Sequence, residues 1–213
     1  MLFRSLPVPR PGPRALVPVY GDSSLVGFDA QSNSHLIRYL LVKPSDVAVY
    51  VEHHAADVGI VGKDILMEND PDVYELVDLD IGKCRMSVAA PAGYVEDKDN
   101  TLRVATKFVN AAKKHYAAKN RDVEIIKLNG SIELGPILGL SHVIVDIVET
   151  GNTLKANNLE VIEQFQDVSA RFIANKSSFK FQNNIITDIA NKLAETVKRK
   201  KAQEANKKIE CNE

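Results

Sequence analysis

The chain reads as an α/β protein built on parallel sheets with crossover helices. Strand-like and helix-like segments alternate at short spacing from Leu36 to Asn157. Several strands are apolar without a break, as strands covered on both faces are. The composition is that of an ordinary globular chain: 213 residues, 45% apolar and 26% charged. That length allows one or two domains and a sizeable core.

Charge and cysteine usage narrow the function classes. The 27 basic and 28 acidic residues give a net charge of −1, so bulk charge does not indicate a nucleic-acid binder. No apolar run approaches the ~20 residues that span a bilayer. The two cysteines, Cys84 and Cys211, exclude a disulfide scaffold and fit a reducing, cytoplasmic compartment.

Five of the nine prolines, Pro7, Pro9, Pro11, Pro13 and Pro18, crowd the start of the chain. They forbid a helix over residues 6–18, make a central strand unfavourable and break any signal-peptide core. Residues 1–34 are expected to be an atypical segment, extended, disordered or mis-assigned. Leu36 to Val42 then reads as a strand, and Pro44-Ser45-Asp46 opens a helix carrying Val47, Val49, Tyr50 and Val51. Asp57 to Gly62 is a buried strand and Lys63 to Asn69 a short helix. Val73 to Val77 and Cys84 to Ala90 are strands. The polar stretch Pro91 to Asn100 reads as a linker.

A second block follows. Leu102 to Thr106 is a strand, Phe108 to Asn120 a helix and Val123 to Leu128 a strand. A short helix from Ser131 ends near Gly139. His142 to Val148 is a buried strand, and the turn Thr150-Gly151-Asn152-Thr153 leads into a helix over Leu154 to Asn157. Leu159 to Phe165 and Val168 to Asn175 are strand-like. From Asn183 the residues Ile185, Ile186, Ile189, Leu193 and Val197 keep a helical period. The basic run Lys198 to Lys201 suits the solvated end of that helix.

The segment Asp146 to Leu154 is where chemistry is expected. It is a buried strand carrying a carboxylate, then a Thr-Gly-x-Thr turn, then a helix. Ligands of parallel sheets bind beyond the carboxyl ends of strands. Backbone amides and hydroxyls at a helix start suit an anion such as a phosphate monoester. Taken alone, Thr150 or Thr153 reads as a helix cap. Glu133 reads likewise as a helix-start carboxylate, and Asp146 as a cap.

The spacing of Glu133, Gly139, Ser141, Ile144, Asp146, Ile147, Thr150, Gly151, Thr153 and Leu154 resembles the signature of ATP phosphoribosyltransferases, the first enzymes of histidine biosynthesis. Asp57-Val-Gly-Ile-Val-Gly-Lys-Asp64, Gly82-Lys-Cys-Arg85, Arg103-Val-Ala-Thr-Lys107 and Thr153-Leu-Lys-Ala-Asn157 look like the same family. The resemblance covers about Tyr39 to Val197.

The resemblance implies a transfer of phosphoribosyl from 5-phosphoribosyl 1-pyrophosphate to N1 of ATP, with Mg²⁺ held mainly by the substrate's pyrophosphate and no protein metal site. It implies that Thr150, Gly151, Asn152 and Thr153 cradle the 5-phosphate, and that Glu133 and Asp146 hold the ribose hydroxyls. Lys43 stands where the family carries an arginine: the charge is kept and the bidentate fork lost. Asp57 and Lys107 are possible cleft residues.

The implied fold is two-lobed, of the periplasmic-binding-protein type (type II), with mostly parallel sheets and a cleft between lobes. Lobe one would be 35–92 plus 169–213, and lobe two 93–168. The family's N-terminal Leu-Pro-Lys-Gly-Arg-Leu is here Leu6-Pro7-Val8-Pro9-Arg10, so the N-terminal strand and helix are atypical. The ending in one helix resembles the short form, a homo-oligomer working with a regulatory subunit related to histidyl-tRNA synthetase. Two readings stand beside an active enzyme. One is an impaired remnant that only binds phosphoribosyl pyrophosphate; the other is a solute-binding protein of the same fold.

Overall fold

The computed structural model describes residues 14–18 and 38–210. It opens with strands β1 (Arg14–Pro18) and β2 (Arg38–Val42) and helix α1 (Pro44–Glu52). Pro44 suits the first turn of α1, where an amide donor is not needed. Next come β3 (Val58–Gly62), α2 (Lys63–Asn69), β4 (Val73–Asp78) and β5 (Cys84–Pro91). Then follow β6 (Leu102–Thr106), α3 (Val109–Ala118), β7 (Val123–Lys127) and α4 (Leu134–Ile137). The chain continues through β8 (Val143–Val148), α5 (Asn152–Ala156), β9 (Leu159–Val168) and β10 (Ala170–Asn175). It closes with α6 (Lys176–Phe181) and α7 (Asn183–Glu210).

Two compact units result. The first holds the described residues up to Val61, Pro71–Val77 and the chain from Phe172; the second holds Gly62–Asp70 and Asp78–Arg171. Each is organised by a five-stranded sheet, ordered β2-β1-β3-β10-β4 in the first and β7-β6-β8-β5-β9 in the second.

In the first unit β1 lies between β2 and β3 and runs parallel to both. This corrects the expectation that the proline-rich start forms no central strand. Pro18 closes the strand, so Ala15, Leu16 and Val17 keep their amides for the ladders. The rest of 1–34 lies outside the described residues, as do Leu36 and Ile37.

The helix α1 packs on this sheet through fully buried Val47 and Val51. Gly59 lets it approach: a Cβ there would stand 2.9 Å from Val47 Cγ1 and Val51 Cγ2. The helix α6, which periodicity does not reveal, is fixed by one side chain. Asn175 Oδ1 accepts the amides of Ser177 and Ser178 at 2.9 and 3.0 Å. Its Nδ2 donates to the carbonyls of Val51 and Glu52 at 2.9 and 3.1 Å. Asn175 is buried, so its loss orphans groups at a helix start and a helix end together. Asn175→Ala is expected to lower unfolding stability by about 2–4 kcal/mol, read from urea melts.

The second sheet is mixed. β6 runs parallel to β7 and β8, whereas β5 enters antiparallel between β8 and β9. β5 therefore belongs to the second unit, which corrects the lobe boundary expected at Ala92. The polar stretch after it is no linker either. Arg121 clamps it, Nε to Glu96 Oε1 at 3.1 Å and the terminal nitrogens to the carbonyls of Asp97, Lys98 and Asn100 at 3.1, 3.2 and 2.8 Å.

The strands of this sheet bury both faces, each fully buried aliphatic side chain contributing about 1.5–3 kcal/mol. Met86, Val88, Val104 and Val145 meet Ala111, Ala112 and Tyr116 of α3 on one side. Ala89, Ile144 and Val148 meet Ile132, Leu154 and Leu159 on the other. In α7 the first turns are anchored by fully buried Ile186, and residues 198–206 are exposed. Among the described residues no helix is long and apolar enough to cross a membrane.

Candidate active site

The carboxyl end of β8 is the centre of the site. Pleating alternates its side chains, so Val143 and Val145 face α3 while Ile144 and Val148 face the other layer. Asp146 falls on the second face, half-buried near the end of the strand. Its Oδ1 accepts the amide of Ile147 at 2.8 Å. Burial pushes the Asp146 carboxyl above its ordinary range. The Ile147 amide and the Lys107 charge pull it back, and Glu133 pushes it further up. The fold thus brings three of the expected residues, Glu133, Asp146 and Lys107, into one electrostatic neighbourhood.

Lys107 is placed by the turn after β6. Thr106 is fully buried; its hydroxyl donates to the Val145 carbonyl at 2.6 Å and accepts the Phe108 amide at 2.9 Å. Those bonds tie the turn to β8. The Lys107 ammonium sits 4.7 Å from the centre of the Phe108 ring and stays exposed. It also acts on Asp64, in the first turn of α2, whose carboxyl is raised by burial and partly restored by the Ile65 amide, its own amide and Lys107. Sequence reasoning did not single out Asp64 as a site residue. Its signal is a carboxylate just past a buried strand, the same placement that marks Asp146.

The turn Thr150–Thr153 is open. Gly151 is left-handed, φ 78° and ψ 4°, and Lys155 donates its amide to the Gly151 carbonyl at 3.0 Å. No side chain caps α5, and Thr150 Oγ1 is 3.4 Å from the Asn152 amide, long for a hydrogen bond. The simple capping role for Thr150 or Thr153 is therefore not what the turn shows. The amides of Thr153 and Leu154 belong to a helix start that has no carbonyl to offer them. Thr150, Asn152 and Thr153 are exposed. Glu133 ends the preceding turn at the start of α4, half-buried.

Lys43 and Asp57 belong to the first unit. Lys43 follows β2 directly and leads into α1, exposed and without a capping bond. It stands at the carboxyl end of a parallel strand, as an anion-facing residue would. Asp57 precedes β3, at the amino end, and is only 9% exposed. Its Oδ1 accepts from Ser178 Oγ at 2.6 Å and Gln182 Nε2 at 3.4 Å, with His54 Nε2 at 3.6 Å. That is the bonding of a residue that anchors α6.

Chemically, the second unit offers free amides and hydroxyls for a phosphate, two carboxylates for vicinal hydroxyls, and one cation beside them. Among the described residues no three His, Cys, Asp or Glu side chains converge as a metal cage.

Residues 43–195 match the family described as HisG: ATP phosphoribosyltransferase. An ATP phosphoribosyltransferase of Brachyspira hyodysenteriae is 61% identical over 162 residues, 76% of this chain and 79% of the relative. One of Clostridioides difficile is 55% identical over 154 residues, 72% and 74% of the two chains. Among solved structures, the ATP phosphoribosyl transferase (HisG:HisZ) complex from Thermotoga maritima superposes with a TM-score of 0.72 at 30% identity, covering 87% of this chain and 98% of that one. A substrate-binding protein of an amino-acid ABC transporter shares the fold alone, with a TM-score of 0.57 at 12% identity over 88% and 94% of the chains.

Proposed function

The chain belongs to the ATP phosphoribosyltransferase family, and on that premise we propose that it joins N1 of ATP to C1 of 5-phosphoribosyl 1-pyrophosphate, the first step of histidine biosynthesis. The observation that carries this reading is the uncapped, exposed turn Thr150–Thr153 beside Glu133, Asp146 and Lys107. The turn amides and the hydroxyls of Thr150 and Thr153 take the 5-phosphate. Asp146 and Glu133 accept hydrogen bonds from the ribose hydroxyls.

In the transfer the C1–O bond to pyrophosphate breaks, the oxygen keeps the electron pair, and adenine N1 closes on C1. The sugar is cationic as the bond breaks, so carboxylates beneath it lower the barrier. Within the second unit, Lys107 is a cation for the polyphosphate groups. No side-chain nucleophile is required. Mg²⁺ carried by the pyrophosphate would neutralise charge on the leaving group, and Asp146 and Glu133 are the carboxylates that would help to hold it.

The Thermotoga neighbour is a complex of two kinds of subunit, and the same reading gives this chain a separate regulatory subunit. A cytoplasmic setting belongs to the proposal and accords with a free thiol at Cys84.

The test is phosphoribosyl-ATP formation by the purified chain with its regulatory subunit, followed by absorbance and by pyrophosphate release. Turnover that needs both substrates is expected. Binding of phosphoribosyl pyrophosphate without turnover would instead identify the binding-only relative.

A further inference from the structure

A cavity opens in the second unit away from the turn after β8. It holds about 480 Å³, within the roughly 300–1,000 Å³ of small-molecule pockets. Buried Val88, Leu102 and Val143 form its apolar floor. Leu102 opens β6 and Val143 opens β8, so the cavity lies at the amino ends of these strands. Val88, Val143 and Tyr116 place it on the α3 face of the sheet. The turn Thr150–Thr153 follows the carboxyl end of β8, at the other end of that strand.

Tyr116, only 6% exposed, is part of the wall. Its ring meets that of His115 edge-on, with 5.1 Å between centres. Among the described residues its hydroxyl has no hydrogen-bond partner. A phenol held this deeply ordinarily has one, so the cavity side is where a partner is missing.

Charge decides the kind of partner. Burial pushes the Tyr116 phenol up; Glu96, Glu163 and Tyr94 push it further, and Arg121 opposes them. Tyr94, also on the wall, is raised by burial, with Glu96 and Asp97 adding and Arg121 opposing. The carboxyl end of α3 contributes the negative pole of the helix, since Tyr116 and the capping residue Lys119 both line the cavity. The basic side chains there are largely engaged. Arg121 serves Glu96 and the three carbonyls named above, and Lys119 pairs with Glu163, which His115 Nε2 also approaches at 3.3 Å. Lys98, the remaining cation of the wall, is exposed and is not among the charges acting on either phenol. Glu96 gives Oε1 to Arg121 and has no described partner for its other oxygen. The two phenols thus lie in a field that favours positive charge, and aromatic faces attract cations as well.

We infer that this cavity binds a small organic ammonium, its apolar body on Val88, Leu102 and Val143 and its nitrogen donating to the Tyr116 hydroxyl and to the free oxygen of Glu96. The site shares no residue with the turn Thr150–Thr153 and is independent of the phosphoribosyl reading.

The experiment uses the full chain and three probes with one body and different heads: phenethylamine, phenethyl alcohol and phenylacetate, titrated calorimetrically. The amine is expected to bind about tenfold tighter than the alcohol, with the carboxylate weakest. Tyr116→Phe keeps the ring and removes the hydroxyl. It is expected to weaken the amine about tenfold at an unchanged melting temperature, because no protein group loses a partner. Glu96→Gln is expected to narrow the lead of the amine over the alcohol. An amine that binds no tighter than the alcohol, or not at all, overturns the inference. So does a carboxylate that binds tightest, or wild-type affinity for the amine in Tyr116→Phe. Should either variant melt lower, the ranking of the three probes on wild type still decides.

Discussion

Asp146→Asn is expected to lose about two to three orders of magnitude in kcat/KM and yet to melt at a higher temperature at neutral pH. The first effect follows from charge. A carboxylate accepting from ribose hydroxyls makes hydrogen bonds worth about 1.5–3 kcal/mol each, and it also stabilises the cationic sugar of the transition state. The amide keeps the shape and loses the charge.

The second effect follows from linkage. Burial raises the Asp146 carboxyl above its ordinary range, with Glu133 adding to the rise and Lys107 opposing it. The folded state therefore holds this proton to higher pH than the unfolded chain does. Stability falls as pH rises from the unfolded value, about 3.9, through the raised folded value, and the loss persists at neutrality. Asparagine has no proton to lose. The gain in melting temperature of D146N should be present at pH 7 and vanish below about pH 4. Calorimetric melting over that range, with kcat/KM at pH 7, checks both halves; a D146N protein that keeps wild-type activity contradicts the assigned role.

Asp64 repeats the pattern: a carboxylate past the end of a buried strand, raised by burial and eased by Lys107. Two such carboxylates around one exposed lysine leave the second unit strained for charge where a polyphosphate substrate would add its own. The stability given up at Asp64 and Asp146 is therefore localised where the chemistry is proposed, as functional sites often show.

Much of this was readable from residue order. Largely apolar runs such as those within Asp57–Gly62 and His142–Val148 have few alternatives to a doubly covered strand, and the structure places strands at Val58–Gly62 and Val143–Val148. The turn after β8 was readable because Gly151 is what a left-handed residue between a strand and a helix demands. What was not readable depends on long-range pairing. That Cys84–Pro91 runs antiparallel in the second sheet is decided by β8 and β9, which lie far along the chain. Arg14–Pro18 has only three residues with free choice of backbone, and its strand exists because β2 and β3 flank it. Asp57 was expected only as a possible cleft residue, on the family resemblance of its segment. Its partners Ser178 and Gln182 are more than a hundred residues away in sequence.

Gly151→Val is expected to raise KM for phosphoribosyl pyrophosphate more than about a hundredfold while the fold persists. Space is not the obstacle. A Cβ on Gly151 would come no nearer than 3.8 Å to Val148 Cγ1, an ordinary contact. The obstacle is φ 78°, where an L residue costs about 1–2 kcal/mol and a β-branched one more. The turn relieves that cost by swinging to negative φ, because Leu154 anchors α5 from inside while Thr150, Asn152 and Thr153 are exposed. The swing redirects the amides of Asn152 and Thr153, so the phosphate loses its donors together. Gly151→Asn separates backbone from bulk, because asparagine tolerates the left-handed region, and should cost only a few-fold in KM. Equal KM values for G151V and wild type, with both chains folded, would mean that these amides hold no substrate. A graded series from Gly through Asn to Val, with melting temperatures close together, ties recognition to the conformation of one residue.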